Sequence, residues 1–218
     1  MPAKQIPDIV VGRLPIYLRE LSFLAAEGVA VTSSFELAKR LGVSAAQIRK
    51  DLSHFGEFGK QGTGYNVGYL QDQLRRILKV DHEWPMALIG IGDLGRALAH
   101  YGGFVNRGFR TPALAPKRSA GASVAALFDN DPAKIGQRVG DLEIMSPDRL
   151  ADIVREYGIR VAMIAAPAAQ AQKIAETCIA AGIQAILNYA PITLSVPDGV
   201  RVQNLDPVAH LQQMTHYL

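Results

Sequence analysis

Disulfide bonds are excluded from this 218-residue chain, because it holds a single cysteine, Cys178. A lone thiol suits a reducing compartment, and packing inside a helix is the expectation for it. Nowhere does the sequence run through the roughly 20 apolar residues that a membrane helix needs, and its N-terminus lacks the charged-then-apolar order of a signal peptide. Both absences predict a cytoplasmic protein. Charge of one sign is also missing in bulk, with 23 Lys and Arg against 20 Asp and Glu. A polyanionic partner must therefore be argued from where the basic residues sit. The five histidines, His54, His82, His100, His210 and His216, form no HExxH or other metal-ligand spacing. What remains is a globular composition, 49% hydrophobic and 20% charged, on a chain long enough for two modest domains.

From Arg13, Leu14, Tyr17, Leu18, Leu21 and Leu24 recur at three- and four-residue steps, which predicts an amphipathic helix stopped by Gly28. In "VTSSFELAKRLGVSAAQIRKDLSHFG", Ser33 stands three residues before Glu36 and permits a capping box, while Leu37, Ala38 and Leu41 form one apolar face up to Gly42. Ser44 then caps a second helix, with Ile48 and Leu52 turned inward and Gln47, Arg49, Lys50 and Ser53 outward. Two short helices around a Gly-containing turn outline a helix-turn-helix; the alternative is an ordinary helix pair with solvated charges. Small Ala45 and Ala46 would let the second helix approach base edges. Basic residues outnumber acidic ones between Lys39 and Lys60, where Lys39, Arg40, Arg49, Lys50 and Lys60 face Asp51 and Glu57. "GEFGKQGTGYNVG" follows as a candidate wing hairpin carrying Lys60. "YLQDQLRRILKV" returns to helical spacing, and "DHEWPM" reads as a linker.

The second part opens on "MALIGIGDLGRALAHY", an apolar strand, a Gly-rich turn and a helix. Gly90 permits the tight turn, Gly92 lets a pyrophosphate approach the backbone, and Gly95 lets the helix pack on the strand; Ile91, Asp93 and Leu94 complete this dinucleotide fingerprint. The helix N-terminus would face the phosphates. Asp129 ends the next apolar strand, where a carboxylate accepts ribose hydroxyls and favours NAD(H) over NADP(H). The competing reading is a turn-forming Asp before Asn130 and Asp131. The intervening Pro-rich stretch from Pro112 to Ser123 reads as a surface insertion. Strands and amphipathic helices alternate to the C-terminus, which predicts a parallel sheet covered on both faces. The terminal helix has an apolar face, Val208, Leu211 and Met214 with Tyr217 or Leu218, that needs something to bury it.

"SAAQIRKDLSHFGEFGKQGTGY", "GIGDLGRALAHY" and "ILNYAPITLSVPDGVRVQNLD" together resemble the Rex family of bacterial redox-sensing repressors over nearly the whole chain. The resemblance implies an α/β homodimer with three parts. These are a winged helix-turn-helix over 1–84, a Rossmann NAD(H)-binding domain over 85–204, and a C-terminal helix over 205–218 swapped into the partner. It implies binding to double-stranded palindromic operator DNA and release by NADH, with NADH and NAD+ as ligands and no catalysis. DNA contacts fall on Ser44, Ala45, Gln47, Arg49, Lys50, Ser53, His54, Phe55 and Lys60. Cofactor contacts fall on Gly90 to Gly95, Tyr101, Asp129, Ala165, Ala166 and Pro167, and switch roles on Arg19, Tyr101 and Asp206. Pro207 stands where some members carry an aromatic that meets the nicotinamide. Two other functions stay open: a small NAD-dependent dehydrogenase with an accessory domain, and a DNA-binding module whose nucleotide fold only dimerises.

Overall fold

A computed structural model describes residues 6–60, 62–104, 107–110, 126–216 and 218, without the side chains of residues 60 and 110. The chain forms two compact units, Met1–His82 and Glu83–Leu218. The Pro-rich stretch from Pro112 to Ser123 and Tyr217 lie outside the described residues.

In the first unit, α1 (Asp8–Ala26) starts a turn and more before Arg13 because Val10 extends the buried stripe of Leu14, Tyr17, Leu21 and Leu24. Pro15 lies inside this helix. It lies on the exposed side of the helix, as does Val11, whose carbonyl its missing N–H would have met. After β1 (Val31–Thr32), α2 (Ser34–Leu41) and α3 (Ala45–Ser53) each begin on a serine cap. Ser33 Oγ accepts from the N–H of Glu36 at 3.0 Å and Ser44 Oγ from that of Gln47 at 3.1 Å. Between them Gly42 turns the chain at φ +67°, a conformation that favours glycine. The hairpin β2 (Gly59–Lys60) and β3 (Gly64–Asn66) pairs antiparallel, β1 adds to β3, and α4 (Val67–Ile77) follows. One core unites the helices through Leu21, Leu37, Ile48, Leu52, Leu70 and Leu74. This is a winged helix-turn-helix.

The second unit is a parallel sheet ordered β11-β10-β9-β4-β6-β8-β7, with β5 beside β4. Its strands are β4 (Trp84–Ile89), β5 (Phe109–Arg110), β6 (Ala126–Phe128), β7 (Arg138–Val139), β8 (Leu142–Met145), β9 (Val161–Ile164), β10 (Ala185–Asn188) and β11 (Arg201–Asn204). Among the described strands of this sheet, only β7, which turns back on β8, runs antiparallel. The helices are α5 (Asp93–Ala99), α6 (Leu150–Tyr157), α7 (Ala168–Ala181) and α8 (Pro207–Thr215). Alternate residues of β4 serve opposite faces. Ala87 and Ile89 join one core with Leu150 of α6 and Cys178 of α7, while Met86 and Leu88 join another with Leu98 of α5. The order reverses at β4, between β9 and β6, which is the crevice position of a Rossmann fold. Trp84 to Met86, which read as linker, already belong to β4; Pro85 is accommodated at the start of the strand.

Gly64 tests the wing. Its φ is +77°, and a Cβ there would overlap the carbonyl oxygen of Thr32. Gly64→Ala is expected to destabilise the first unit by about 2–4 kcal/mol, read from urea unfolding by circular dichroism.

Candidate functional site

On α3, the exposed stripe is Ala46, Arg49, Lys50 and Ser53. Arg49 donates to Ser34 Oγ at 2.9 Å, across from α2, and Ser53 Oγ donates to the carbonyl of Lys50 at 2.8 Å. Other residues assigned to DNA hold the scaffold: Ser44 caps α3, while Ala45 and Phe55 pack against the core, and His54 ends α3 half-buried. Lys60 occupies the wing strand β2.

Sequence reasoning missed Asp51, which is fully buried although Arg49 and Lys50 just before it are exposed charges. Arg13 grips it with two prongs, Nε to Oδ2 at 2.6 Å and Nη2 to Oδ1 at 2.7 Å. Tyr17 donates its hydroxyl to Oδ2 at 2.7 Å, and Gln47 Nε2 donates to Oδ1 at 2.7 Å. Burial works to raise the carboxyl, yet the hydrogen bonds from Arg13, Tyr17 and Gln47 hold it below the usual carboxylate range. Burial, reinforced by the bond to Asp51, pushes the Tyr17 hydroxyl up to about 12. An ionised carboxylate only accepts, so the Gln47 amide must turn its nitrogen toward Asp51. No short-range spacing could reveal this, since Arg13 and Tyr17 lie 38 and 34 residues away.

In the second unit, the three glycines divide the work at the end of β4. A Cβ on Gly90, at φ +93°, would stand 2.6 Å from the carbonyl oxygen of Ala165, and one on Gly95 would overlap the carbonyl of Gly90. Around Gly92 nothing lies within 4 Å of the Cβ position, leaving open space before the first turn of α5. Ile91 is buried and its N–H donates to Asp129 Oδ2 at 2.7 Å. The same carboxylate accepts from the N–H of Asp131 at 2.9 Å and from Lys134 Nζ at 3.1 Å. Against the raising effect of burial, these donors keep Asp129 ionised, below its ordinary value. Asp129 thus forms the turn and also reaches the glycine loop. Lys134 was missed; its signal was a lysine five residues on, at the far end of that turn.

Ala165 and Ala166 are half-buried beside Gly90, and Pro167 caps α7 from an exposed position. Asp93 and Leu94 begin α5 on its exposed side. Tyr101 is 55% exposed and stacks edge-on with Phe104 at 5.1 Å. Asp206 caps α8, its Oδ1 accepting from Val208 at 3.0 Å and Ala209 at 3.3 Å. Along α8 no residue is buried, and Val208, Leu211 and Met214 are all more than half exposed. Arg19 is exposed on α1. Among the described residues there is no cluster of three or more potential metal ligands, and no helix is long and apolar enough to cross a membrane.

Known proteins match both units. Residues 5–53 fit the family profile described as "Putative DNA-binding protein N-terminus", and residues 116–192 the one described as "CoA binding domain". The redox-sensing transcriptional repressor Rex of Chloroflexus aurantiacus is 52% identical over 212 residues, covering 97% of this chain and 94% of that protein. Rex of Pelotomaculum thermopropionicum is 40% identical, covering 100% and 96%. A crystal structure of RSP in complex with β-NAD+ and operator DNA superposes with TM-score 0.87 at 35% identity, covering 98% of this chain and 93% of that one. RSP in complex with β-NADH superposes with TM-score 0.82 at 33% identity, covering 98% and 95%.

Because Asp51 and Asp129 are held below their unfolded values, near 3.9 for an unperturbed Asp, their stabilisation is complete above about pH 5 and is lost as pH falls through the folded values. Asp51→Asn should lower stability at pH 7 by about 1–3 kcal/mol and flatten the acid limb of the first unit, measured by thermal melts from pH 7 to pH 2. Gly92→Ala should leave the melting temperature of the second unit unchanged, whereas Gly95→Ala should lower it.

Proposed function

The chain belongs to the Rex family of redox-sensing transcriptional repressors, and from that membership we propose how its residues divide the task. It is a repressor and not an enzyme. It binds operator DNA through its winged helix and NAD(H) through its Rossmann domain, and a rise in NADH releases the DNA. The observation that carries this reading is the full-length likeness to named repressors, which spans both units in the same order.

The residues at the end of β4 fit a dinucleotide. Gly92 leaves room for a pyrophosphate beside the α5 backbone, and Gly90 and Gly95 keep that space clear by packing backbone on backbone. Asp129 uses three acceptor positions internally; a carboxylate offers about four, so one remains for a ribose hydroxyl. Ala165, Ala166 and Pro167 border the same loop. The bound dinucleotide supplies a nicotinamide that is cationic and planar as NAD+ but neutral as NADH. We assign the response to Tyr101, Arg19 and the partner subunit's Asp206, a polar trio in which Asp206 changes partner between the other two. Arg49, Lys50, Ser53 and Lys60, supported by Ser44, Ala45, Gln47, His54 and Phe55, meet the duplex. The apolar face of α8 supports its exchange between two copies of the chain in the cytoplasm, with residues 205–218 as the exchanged segment.

Recognition helices of a dimer fill two successive major grooves only when they lie about 34–36 Å apart. To turn occupancy from nearly full to nearly empty, NADH must favour the released state by about 5.5 kcal/mol over the DNA-bound one. Gel shifts on a palindromic duplex across NADH/NAD+ ratios should show displacement as NADH rises; full occupancy at saturating NADH overturns the reading. Arg49→Ala or Lys50→Ala should weaken operator binding by about 1–3 kcal/mol at a base contact, or reduce the salt slope by about one at a phosphate contact.

A further inference from the structure

The recognition helix is held to the rest of its unit in two physically different ways. Ile48 and Leu52 press into the apolar core, an attraction without preferred direction. Asp51 instead makes charge-assisted bonds to Arg13 and Tyr17 of α1, at 2.6, 2.7 and 2.7 Å, and these fail when angles change. A bidentate guanidinium grip fixes two points of one rigid plane, so it resists rotation of α3 about its own axis, which apolar packing tolerates. Rotation is what matters for reading bases. Contacting side chains must be held within about 0.5 Å and 10–20° of their working geometry, and Arg49 and Lys50 extend far from the helix axis.

Once formed, the joint loses stability if either partner is removed alone, but against an apolar replacement of the whole pair the charge brings no evident gain. Buried ion pairs are often no better than well-packed apolar residues of similar size. Nor does the joint touch DNA, since Asp51 is fully buried on the flank away from the exposed stripe. We propose that Asp51 is a positioning residue for sequence discrimination: the Arg13–Tyr17–Asp51 joint sets the rotation of α3 and so determines how strongly operator is preferred over non-specific DNA. Phosphate-driven binding, which depends on the number of cations and hardly on helix rotation, is independent of it. Gln47 shares the arrangement, because one N–H of its amide is committed to Asp51, which fixes the direction in which the rest of the amide faces.

This inference rests on the DNA-binding reading above, and the test separates the two. The full-length protein selects a duplex from a randomised pool; its affinity for that duplex and for a scrambled duplex of equal length and composition is measured by fluorescence anisotropy at several salt concentrations. Wild type, Arg13→Lys and the double variant Arg13→Met/Asp51→Leu are compared, each with a thermal melt. The double variant replaces the ion pair by apolar bulk and is expected to fold, with its melting temperature lowered only by the unpaired Tyr17 hydroxyl, and to keep its affinity for the scrambled duplex and its salt slope, while operator preference falls by about tenfold or more. Arg13→Lys keeps the charge but loses the fork, and should fall in between. An unchanged preference in the folded double variant overturns the proposal. If the double variant does not fold, an unchanged preference in Arg13→Lys does so instead. Equal loss of affinity for both duplexes also overturns it, since that marks a loosened domain. Failure of the wild type to select any duplex refutes DNA recognition itself.

Discussion

No side chain fits where the chain leaves β4. Gly90 passes so close to Ala165 that a Cβ would stand 2.6 Å from its carbonyl oxygen, and Gly95 rests on Gly90 in turn. Three backbones, the turn after β4, the loop after β9 and the first turns of α5, are thereby stacked without intervening side chains. The consequences spread outward. Ile91 is forced inside, where its N–H requires a partner, and Asp129 from the end of β6 supplies one at 2.7 Å. That bond joins β6 to the glycine loop, and Lys134 and the N–H of Asp131 keep the carboxylate charged. The open space at Gly92 exists because everything around it has already been packed.

The winged unit reaches precision by the opposite means. Where the Rossmann unit removes side chains so that backbones meet, α3 is tied down by a long charged side chain of α1, Arg13. Both devices solve one problem, which is that apolar packing brings elements together without fixing rotation or register. Backbone contact at Gly90 and Gly95 leaves no slack by exclusion; the Arg13 fork on Asp51 leaves little by direction. In the proposed reading the first would keep a dinucleotide's place and the second a reading surface, each braced by backbone packing or by a directed ion pair.

How far the sequence discloses this follows from the range of each interaction. The glycine fingerprint was legible because strand, turn and helix are contiguous, and Ser33 and Ser44 because a cap acts on residues three positions away. The start of α1 was placed at Arg13 because only Val10 continues the buried stripe ahead of it, while Ile9 and Val11 beside it are exposed. Strands β7 and β8 went unread: they are two and four residues long, and neither carries a long apolar run. Asp51 looked like an acid in a basic run, and only its partners in α1 reveal a buried joint. Residues whose role depends on a distant element cannot be recognised by spacing, even when their own helix is correctly read.

The terminal helix shows how one carboxylate can hold two offices. Nine residues are too few for a helix to be stable alone in water, so α8 depends on its cap and on burial of its apolar face. Each of Val208, Leu211 and Met214 would contribute roughly 1.5–3 kcal/mol once covered, yet none is covered by its own chain. Asp206 meets both orphan N–H groups at the start of α8 with a single oxygen, Oδ1. Its Oδ2 has no partner among the described residues. A cation or hydroxyl can therefore be gained or lost at Oδ2 without uncapping the helix, so a change of partner at Asp206 need not cost the order of the segment that carries it.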